Sequence, residues 1–266
     1  MNTEKGHGIY STELSKGQGA IAETMTLLAH WKPGISSAEL AQSVLQEGIL
    51  ARATARRVTD LVRSVFSRRY LVEEGRPAEY LKYLAERGVD SGVTRQIMLI
   101  YTARIHTVLR DFIAEVYWGR YSAGADSISR SDAEEFIKQA MADGRISPPW
   151  SETMQLRVAQ YLTGTLADFG FVNDVKKKER PLRAYRLLTE TALFLAHEIH
   201  FKGFSDNSIL ESPDWKLFGL AREEVVQQLD KVARGGHFIL QYSGDLLRVS
   251  WKYQSMEECL DAIAGQ

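Results

Sequence analysis

The sequence has few of the features that mark secreted, disulfide-stabilised or membrane-spanning proteins. Its one cysteine, Cys259, excludes a disulfide within the chain. The apolar runs, such as residues 97–101 and 192–196, are far shorter than the ~20 residues that cross a bilayer. The N-terminal residues contain no apolar core of a signal peptide. These absences predict a cytoplasmic protein that does not enter the membrane.

The composition is that of a folded globular protein. Hydrophobic residues make up 44% and charged residues 25% of the 266 residues. A chain of this length can form two packed domains. The formal net charge of −1 indicates nothing about a charged partner, so any such partner must be inferred from how the charges are distributed.

Positive charge is concentrated in two segments. Residues 48–72 contain six arginines and one acid, Asp60. Residues 172–186 contain six cationic residues and two acids, which leaves the remainder of the chain net acidic. Such segregation is typical of a surface that binds a polyanion. The alternative is a pair of basic faces that contact only water.

The first basic segment is predicted to be the second helix of a helix-turn-helix. A helix is predicted to begin at Ser36 or Ser37, whose hydroxyl can cap it, and to end at Gly48. In the helix that follows, Arg56 and Arg63 lie opposite the apolar face, and Arg52 joins them if the helix begins early enough. Two helices joined by a short glycine turn form the layout in which the second helix enters the major groove. The predicted DNA contacts are Arg52, Arg56, Arg57, Arg63, Arg68 and Arg69.

The second basic segment is predicted to be the tip of a wing. Ser131 and Glu134 predict a capping box for one helix, and Ser151 predicts the cap of the next. Residues 171–175 and 182–187 then predict a short two-stranded ribbon. Helix, turn, helix and ribbon form a winged helix, whose tip often contacts phosphate. The residues predicted to make this contact are Lys176, Lys177, Lys178 and Arg180; a solvated hairpin tip is the alternative.

The rest of the chain predicts mainly helices. A long helix over residues 91–121 places His106 within an apolar pattern, as an interior residue. A second hairpin around residues 243–245 is weakly charged, so it is expected to pack or to contact protein. The predicted fold is mostly α, a helical bundle with winged-helix or helix-turn-helix-like units and two short β-hairpins. The expected domains are residues 1–125 and 126–266.

No motif in the sequence predicts catalysis. His197 and His200 are three residues apart, whereas the zinc-protease pair is four apart, and no further ligand motif completes a metal site. Cys259 lies in a helical pattern and is expected to pack. We therefore predict a binding protein that is not an enzyme and has no metal or cofactor.

Several blocks together resemble the BrxA family, accessory proteins of the BREX bacteriophage-resistance systems. They are "YSTELSKGQGAIAETMTLL", "RRVTDLVRSVFSRRYL", "YTARIHTVLRDFIAEVYWGRY", "ISPPWSETMQLRVAQYLTGTLADFGF", "ILESPDWKLFGL" and "LLRVSWKYQSMEECLDAI". The resemblance implies a cytoplasmic, helix-rich, non-enzymatic protein with a nucleic-acid-binding role. The family resembles both an RNA-binding antitermination factor and winged-helix DNA binders. The resemblance supplies no catalytic motif.

The charge pattern and the resemblance together predict a double-stranded DNA-binding component of a BREX system. We expect weak sequence specificity, because phosphate contacts carry no sequence information, and strong dependence on salt. One alternative is a protein–protein adaptor that docks its arginines on another BREX component. The other is an RNA-binding protein similar to an antitermination factor.

Overall fold

The structure is a computed structural model that describes residues 10–174, 178–244 and 246–265. Helices dominate these residues, and their strands form two small antiparallel sheets. The mostly α fold class predicted from the sequence is therefore confirmed.

The chain divides into two compact units, and each unit combines two separate stretches of sequence. Residues 1–78 and 99–185 form the first unit, and residues 79–98 and 186–266 form the second. Two of the three unit boundaries fall within helices α5 (Arg76–Glu86) and α6 (Ser91–Ile105), and the third lies between residues 185 and 186. The expected division of the chain at residue 125 stays a prediction.

The first unit begins with short helices, of which α2 has a capping box at its N-terminus. Ser36 caps α2 by accepting a hydrogen bond from the Glu39 amide, and the Glu39 carboxylate accepts one from the Ser36 amide at 2.7 Å. Gly48, with φ of 65°, lies two residues after the end of α2, where a left-handed residue commonly ends a helix. These helical elements are a 3₁₀ turn (Glu13–Lys16), α1 (Ile21–His30) and α2 (Ser37–Gln46).

The arginine-bearing helix is one helical run made of three segments. They are α3 (Ala55–Asp60), a π-helical segment (Leu61–Phe66) and α4 (Ser67–Tyr70). The Thr54 hydroxyl caps the run by accepting from the Arg57 amide at 3.3 Å. Arg52 therefore precedes the helix. Residues 47–54 separate this helix from α2, so the connection is longer than the predicted short glycine turn, which in a helix-turn-helix has about 3–4 residues.

A second part of the first unit follows a break at His106. This residue has φ of −111° and ψ of 79°, so the predicted single helix over residues 91–121 is interrupted there. His106 is buried, as expected. The helical segments after the break are α7 (Thr107–Asp111), a π-helical segment (Phe112–Tyr117), α8 (Trp118–Ser122), α9 (Arg130–Ala142) and α10 (Glu152–Phe169). Before the break, a 3₁₀ turn (Glu73–Gly75) lies between α4 and α5.

One prediction about the helix caps of this region needs correction, and one is confirmed. Ser129 and Asp132 form the capping box of α9, so the predicted box at Ser131 and Glu134 is wrong. Because Ser129 has extended backbone geometry and lies directly before the helix, its hydroxyl reaches the free amide of Asp132. Ser151 caps α10 as predicted.

The small sheet of the first unit joins residues from both sides of the α9–α10 pair. Strand β1 (Ser127–Ser129) is antiparallel to β2 (Glu179–Pro181). On the other side, the predicted ribbon is reduced to a single bridge between Val172 and Leu182. The predicted ribbon is thus only half of the arrangement. The strand after α10, β2, pairs chiefly with β1, which precedes α9.

The second unit contains helices around a two-stranded hairpin. In the hairpin, β3 (Phe238–Ser243) is antiparallel to β4 (Leu246–Trp251), as predicted; Asp245, in the predicted turn, lies outside the described residues. Two side chains cover the outer edge of β4: Asn207 accepts from the Leu247 amide at 2.7 Å, and Asp206 accepts from the Val249 amide at 2.9 Å. The helices are α11 (Thr189–Phe201), α12 (Asp206–Leu210), a 3₁₀ helix (Pro213–Phe218), α13 (Arg222–Arg234) and α14 (Met256–Ala264).

Candidate nucleic-acid interface

Three of the four exposed arginines in the first basic segment have no partner among the described residues. Arg52 lies in the connection before α3, and Arg56 and Arg63 lie on the outer side of the helical run. Among the described residues, none of these three side chains has a hydrogen-bond or ion-pair partner. Their guanidinium groups stay charged at physiological pH. They therefore present three positive charges that no carboxylate of the described chain neutralises.

Two other arginines hold residues 13–20, which we call the connecting segment. The Arg57 guanidinium donates a hydrogen bond to the Lys16 carbonyl. The Arg68 guanidinium forms an ion pair with the Glu13 carboxylate. These two arginines thus have partners within the protein, although Arg68 stays exposed and Arg57 partly exposed.

Arg69, the sixth arginine among the predicted DNA contacts, is buried. Only 1% of the residue is exposed. Its Nη2 donates to the Gln18 carbonyl at 2.7 Å and its Nη1 to the Gly19 carbonyl at 3.2 Å. Burial lowers the pKa of Arg69. The enclosed guanidinium cannot reach a phosphate in this structure, so it serves to fix the connecting segment.

His106 borders the Arg69 guanidinium. The His106 Nε2 lies 3.4 Å from the Arg69 Nη2. Burial, followed by the positive charge of Arg69, lowers the pKa of His106 to about 3. The imidazole is therefore neutral at physiological pH. A neutral ring can accept from the guanidinium, whereas a protonated ring would repel it.

Glycines allow the connecting segment to approach its neighbours closely. A Cβ on Gly17 would lie 2.6 Å from a methyl carbon of Val65, and a Cβ on Gly19 would lie 2.5 Å from the Asp168 Cβ. The Gly19 amide also donates to the Asp168 carboxylate at 2.9 Å. The connecting segment therefore contacts both the arginine-bearing helix and α10.

The second basic segment is described only in part. Lys176 and Lys177, two of the predicted phosphate contacts, lie outside the described residues. Lys178 is exposed. Arg180 is 21% exposed at its side chain, and its Nη1 lies 3.6 Å from the Asp174 carboxylate. Of the described pair, Lys178 is therefore the cation that faces solvent without a carboxylate partner.

An exposed row on α10 was missed by the sequence reasoning. Thr153, Arg157 and Gln160 follow a spacing of four and then three residues, and all three are exposed. Arg157 and Gln160 make no side-chain hydrogen bond or ion pair with any residue that the structure describes. The helical spacing was visible in the sequence. Because Arg157 is the one cation of α10, a search for charge clusters did not find it.

The family of the chain follows from a match to known sequences. The model of the BrxA family matches residues 8–198, which include both basic segments. The chain belongs to the BrxA family. Membership confirms the resemblance seen in the sequence and implies a role associated with BREX. The hairpin of β3 and β4 lies C-terminal to the matched residues.

The comparisons with individual proteins show less about this BrxA family member. No curated protein matches the chain. A solved structure of an uncharacterized protein from Magnetospirillum magneticum matches with a TM-score of 0.60, at 17% identity, over 79% of this chain and 98% of that chain. At this identity the likeness shows a shared fold and carries no function.

His197, His200 and Cys259 of this BrxA family member have packing roles. His197 is fully buried, its Nδ1 lies 2.9 Å from the Leu193 carbonyl, and burial lowers its pKa to about 4. The His200 ring stacks on Trp251 with centroids 4.2 Å apart. Cys259 is buried, which raises the pKa of its thiol. In the part of the chain that the structure describes, no cluster of ligands could hold a metal ion, and every helix is too short or too polar to traverse a bilayer.

Proposed function

We propose that this BrxA family member binds double-stranded DNA as a non-enzymatic, cytoplasmic component of a BREX system. The observation that carries the proposal is the set of exposed arginines Arg52, Arg56 and Arg63, which have no partner in the part of the chain that the structure describes. The arginines beside them are held by backbone carbonyls or a carboxylate. The same short segment therefore contains structural arginines and arginines left available for an external anion.

Guanidinium groups suit phosphate because they donate two parallel hydrogen bonds and keep their charge. Arg56 and Arg63 are seven residues apart in one helical run, which is about 10 Å along a helix axis. Two such groups can therefore contact different phosphates of one duplex. Contacts of this kind supply affinity and register.

The elements around α10 support a winged-helix unit. A strand (β1), two helices (α9 and α10) and a returning strand (β2) follow one another, and β2 pairs with β1. Between the two residues of the Val172–Leu182 bridge, the described residues 173–174 and 178–181 correspond to the tip of a wing. Exposed Lys178 lies there, and Lys176 and Lys177 are proposed to add to the same positive tip.

The proposal predicts a steep dependence of DNA affinity on salt. If about six phosphates are neutralised, the logarithm of the association constant should fall against the logarithm of salt concentration with a slope of about −5. Fluorescence anisotropy with a labelled duplex measures this slope. A flat dependence would exclude the electrostatic mode of binding.

The double variant Arg56→Glu with Arg63→Glu tests the same surface. We expect it to abolish duplex binding with little change in melting temperature, because both side chains are exposed. The matched control is Lys216→Glu with Lys231→Glu, which changes the net charge equally at exposed positions of the other unit. Equal loss of binding in the two variants would mean that net charge, not this surface, governs binding.

The second candidate function is a protein–protein adaptor within BREX. It is favoured by the outer face of the hairpin, where Ile239 is 65% and Leu246 is 51% exposed. Pull-down of BREX components with and without nuclease distinguishes a direct protein contact from one bridged by DNA. Competition of the labelled duplex by single strands and structured RNA distinguishes DNA binding from RNA binding.

A further inference from the structure

We infer that the N-terminal half of α10 reads base edges in the major groove, with Arg157 and Gln160 as the specificity-determining residues. The inference rests on the proposed function and goes beyond it. Phosphate contacts from the arginine-bearing helix do not discriminate between sequences. The exposed row on α10 has side chains that can discriminate between sequences.

The connecting segment contacts the C-terminal half of the outward row of α10. The members of this row share the spacing that places residues on one side of a helix, and they are Thr153, Arg157, Gln160, Gly164 and Asp168. A Cβ on Gly164 would lie 3.0 Å from the Gln18 side chain, and the Asp168 carboxylate accepts from the Gly19 amide. The connecting segment thus contacts the two C-terminal members, although Asp168 stays exposed there, and the first three members are exposed.

This arrangement matches the way in which a recognition helix is used. In helix-turn-helix proteins the N-terminal residues of the second helix contact base edges. In α10 the exposed residues Thr153, Arg157 and Gln160 lie in this N-terminal half. The acid nearest to them, Glu152, lies about 100° around the helix from Thr153 and occupies the first turn, where a carboxylate interacts favourably with the helix dipole.

The exposed residues have the chemistry of direct readout. An arginine donates two hydrogen bonds to the O6 and N7 of guanine, and a glutamine pairs with the N6 and N7 of adenine. Arg157 and Gln160 are about 4.5 Å apart along the helix axis, close to the rise of one base pair. Leu156, which is 45% exposed beside them, can contact a thymine methyl group. The expected site therefore contains adjacent guanine and adenine positions.

The experiment begins with selection of bound duplexes from a random library by the full-length protein. We expect an enriched motif that contains guanine next to an A·T pair. Arg157→Lys keeps the charge but loses the two-pronged hydrogen bonding. It should lower the preference for the selected duplex over a scrambled one by about 5- to 150-fold, while affinity for the scrambled duplex stays within about twofold. The matched control, Arg56→Lys, should keep the preference.

Modified bases provide the second readout. Replacing the selected guanine by 7-deazaguanine removes the N7 acceptor, so it should weaken binding by the wild type and leave binding by Arg157→Lys nearly unchanged. Replacing the selected adenine by 7-deazaadenine should weaken duplex binding by the wild type more than duplex binding by Gln160→Ala. Melting temperatures check that both variants remain folded.

The outcomes separate this inference from the proposed function. Duplex binding without any enriched sequence, or an unchanged preference in both α10 variants, overturns the readout by α10 and leaves DNA binding in place. Failure of the wild type to bind any duplex overturns both. A preference that changes only with the α10 variants and the deaza bases supports the inference.

Discussion

Replacement of Arg69 by alanine tests whether the arginines divide into internal and external groups. The change removes the hydrogen bonds to the Gln18 carbonyl at 2.7 Å and the Gly19 carbonyl at 3.2 Å. Each hydrogen bond from a charged donor contributes about 1.5–3 kcal/mol. The free energy of unfolding should therefore fall by about 3 kcal/mol or more, which corresponds to a melting temperature about 6–12 °C lower.

The matched control is Arg56→Ala, whose side chain is exposed and has no partner among the residues described. Its free energy of unfolding should stay within about 0.5 kcal/mol of the wild type. Urea unfolding measures both variants, and hydrogen exchange at the amides of residues 13–20 should accelerate in Arg69→Ala alone. If the two variants unfold at the same urea concentration, the assignment of Arg69 to an internal role is refuted.

Two further predictions concern stability. The pKa of His106 is lowered to about 3 in the folded chain and is about 6.5 in the unfolded chain. As the pH falls, the unfolded chain therefore binds a proton before the folded chain does. The free energy of unfolding should fall between pH 6.5 and pH 3, by about 2 kcal/mol at pH 5. His106→Asn should reduce this loss in urea unfolding at pH 5 and 7.5; an identical pH dependence would contradict the buried neutral histidine. Ser129→Ala should lower the free energy of unfolding by about 1 kcal/mol through loss of the α9 cap. Ser131→Ala should lower it clearly less. Equal shifts in melting temperature for the two variants would show that the cap is assigned to the wrong serine.

Local signals in the sequence predicted most helix positions. Caps at Ser36 and Ser151, and the glycine after α2, identified helix ends because they depend on residues that are close in sequence. The pairing of β1 with β2 could not be predicted in the same way. It joins residues about 50 positions apart, and β1 is only three residues long, so no period of alternation marks it.

The candidate site was predicted in part for a similar physical reason. Composition located the basic segments, and helical geometry placed Arg56 and Arg63 on the exposed side. The internal roles of Arg57 and Arg69 depend on backbone carbonyls of the connecting segment. Every residue has a carbonyl group, so the sequence contains no sign of which one a distant arginine will contact.

The order in which the two units use the chain bears on how the protein folds during synthesis. The first unit has all its residues once position 185 has left the ribosome, but residues 79–98 belong with residues 186–266, which emerge later. That early stretch includes the apolar positions Leu81, Leu84, Val93 and Ile97. These side chains stay without most of their packing partners until residues 186–266 have been synthesised. A nascent chain stalled when residue 185 has just left the ribosome should therefore expose this stretch to chaperones and proteases while the surrounding helices are already protected.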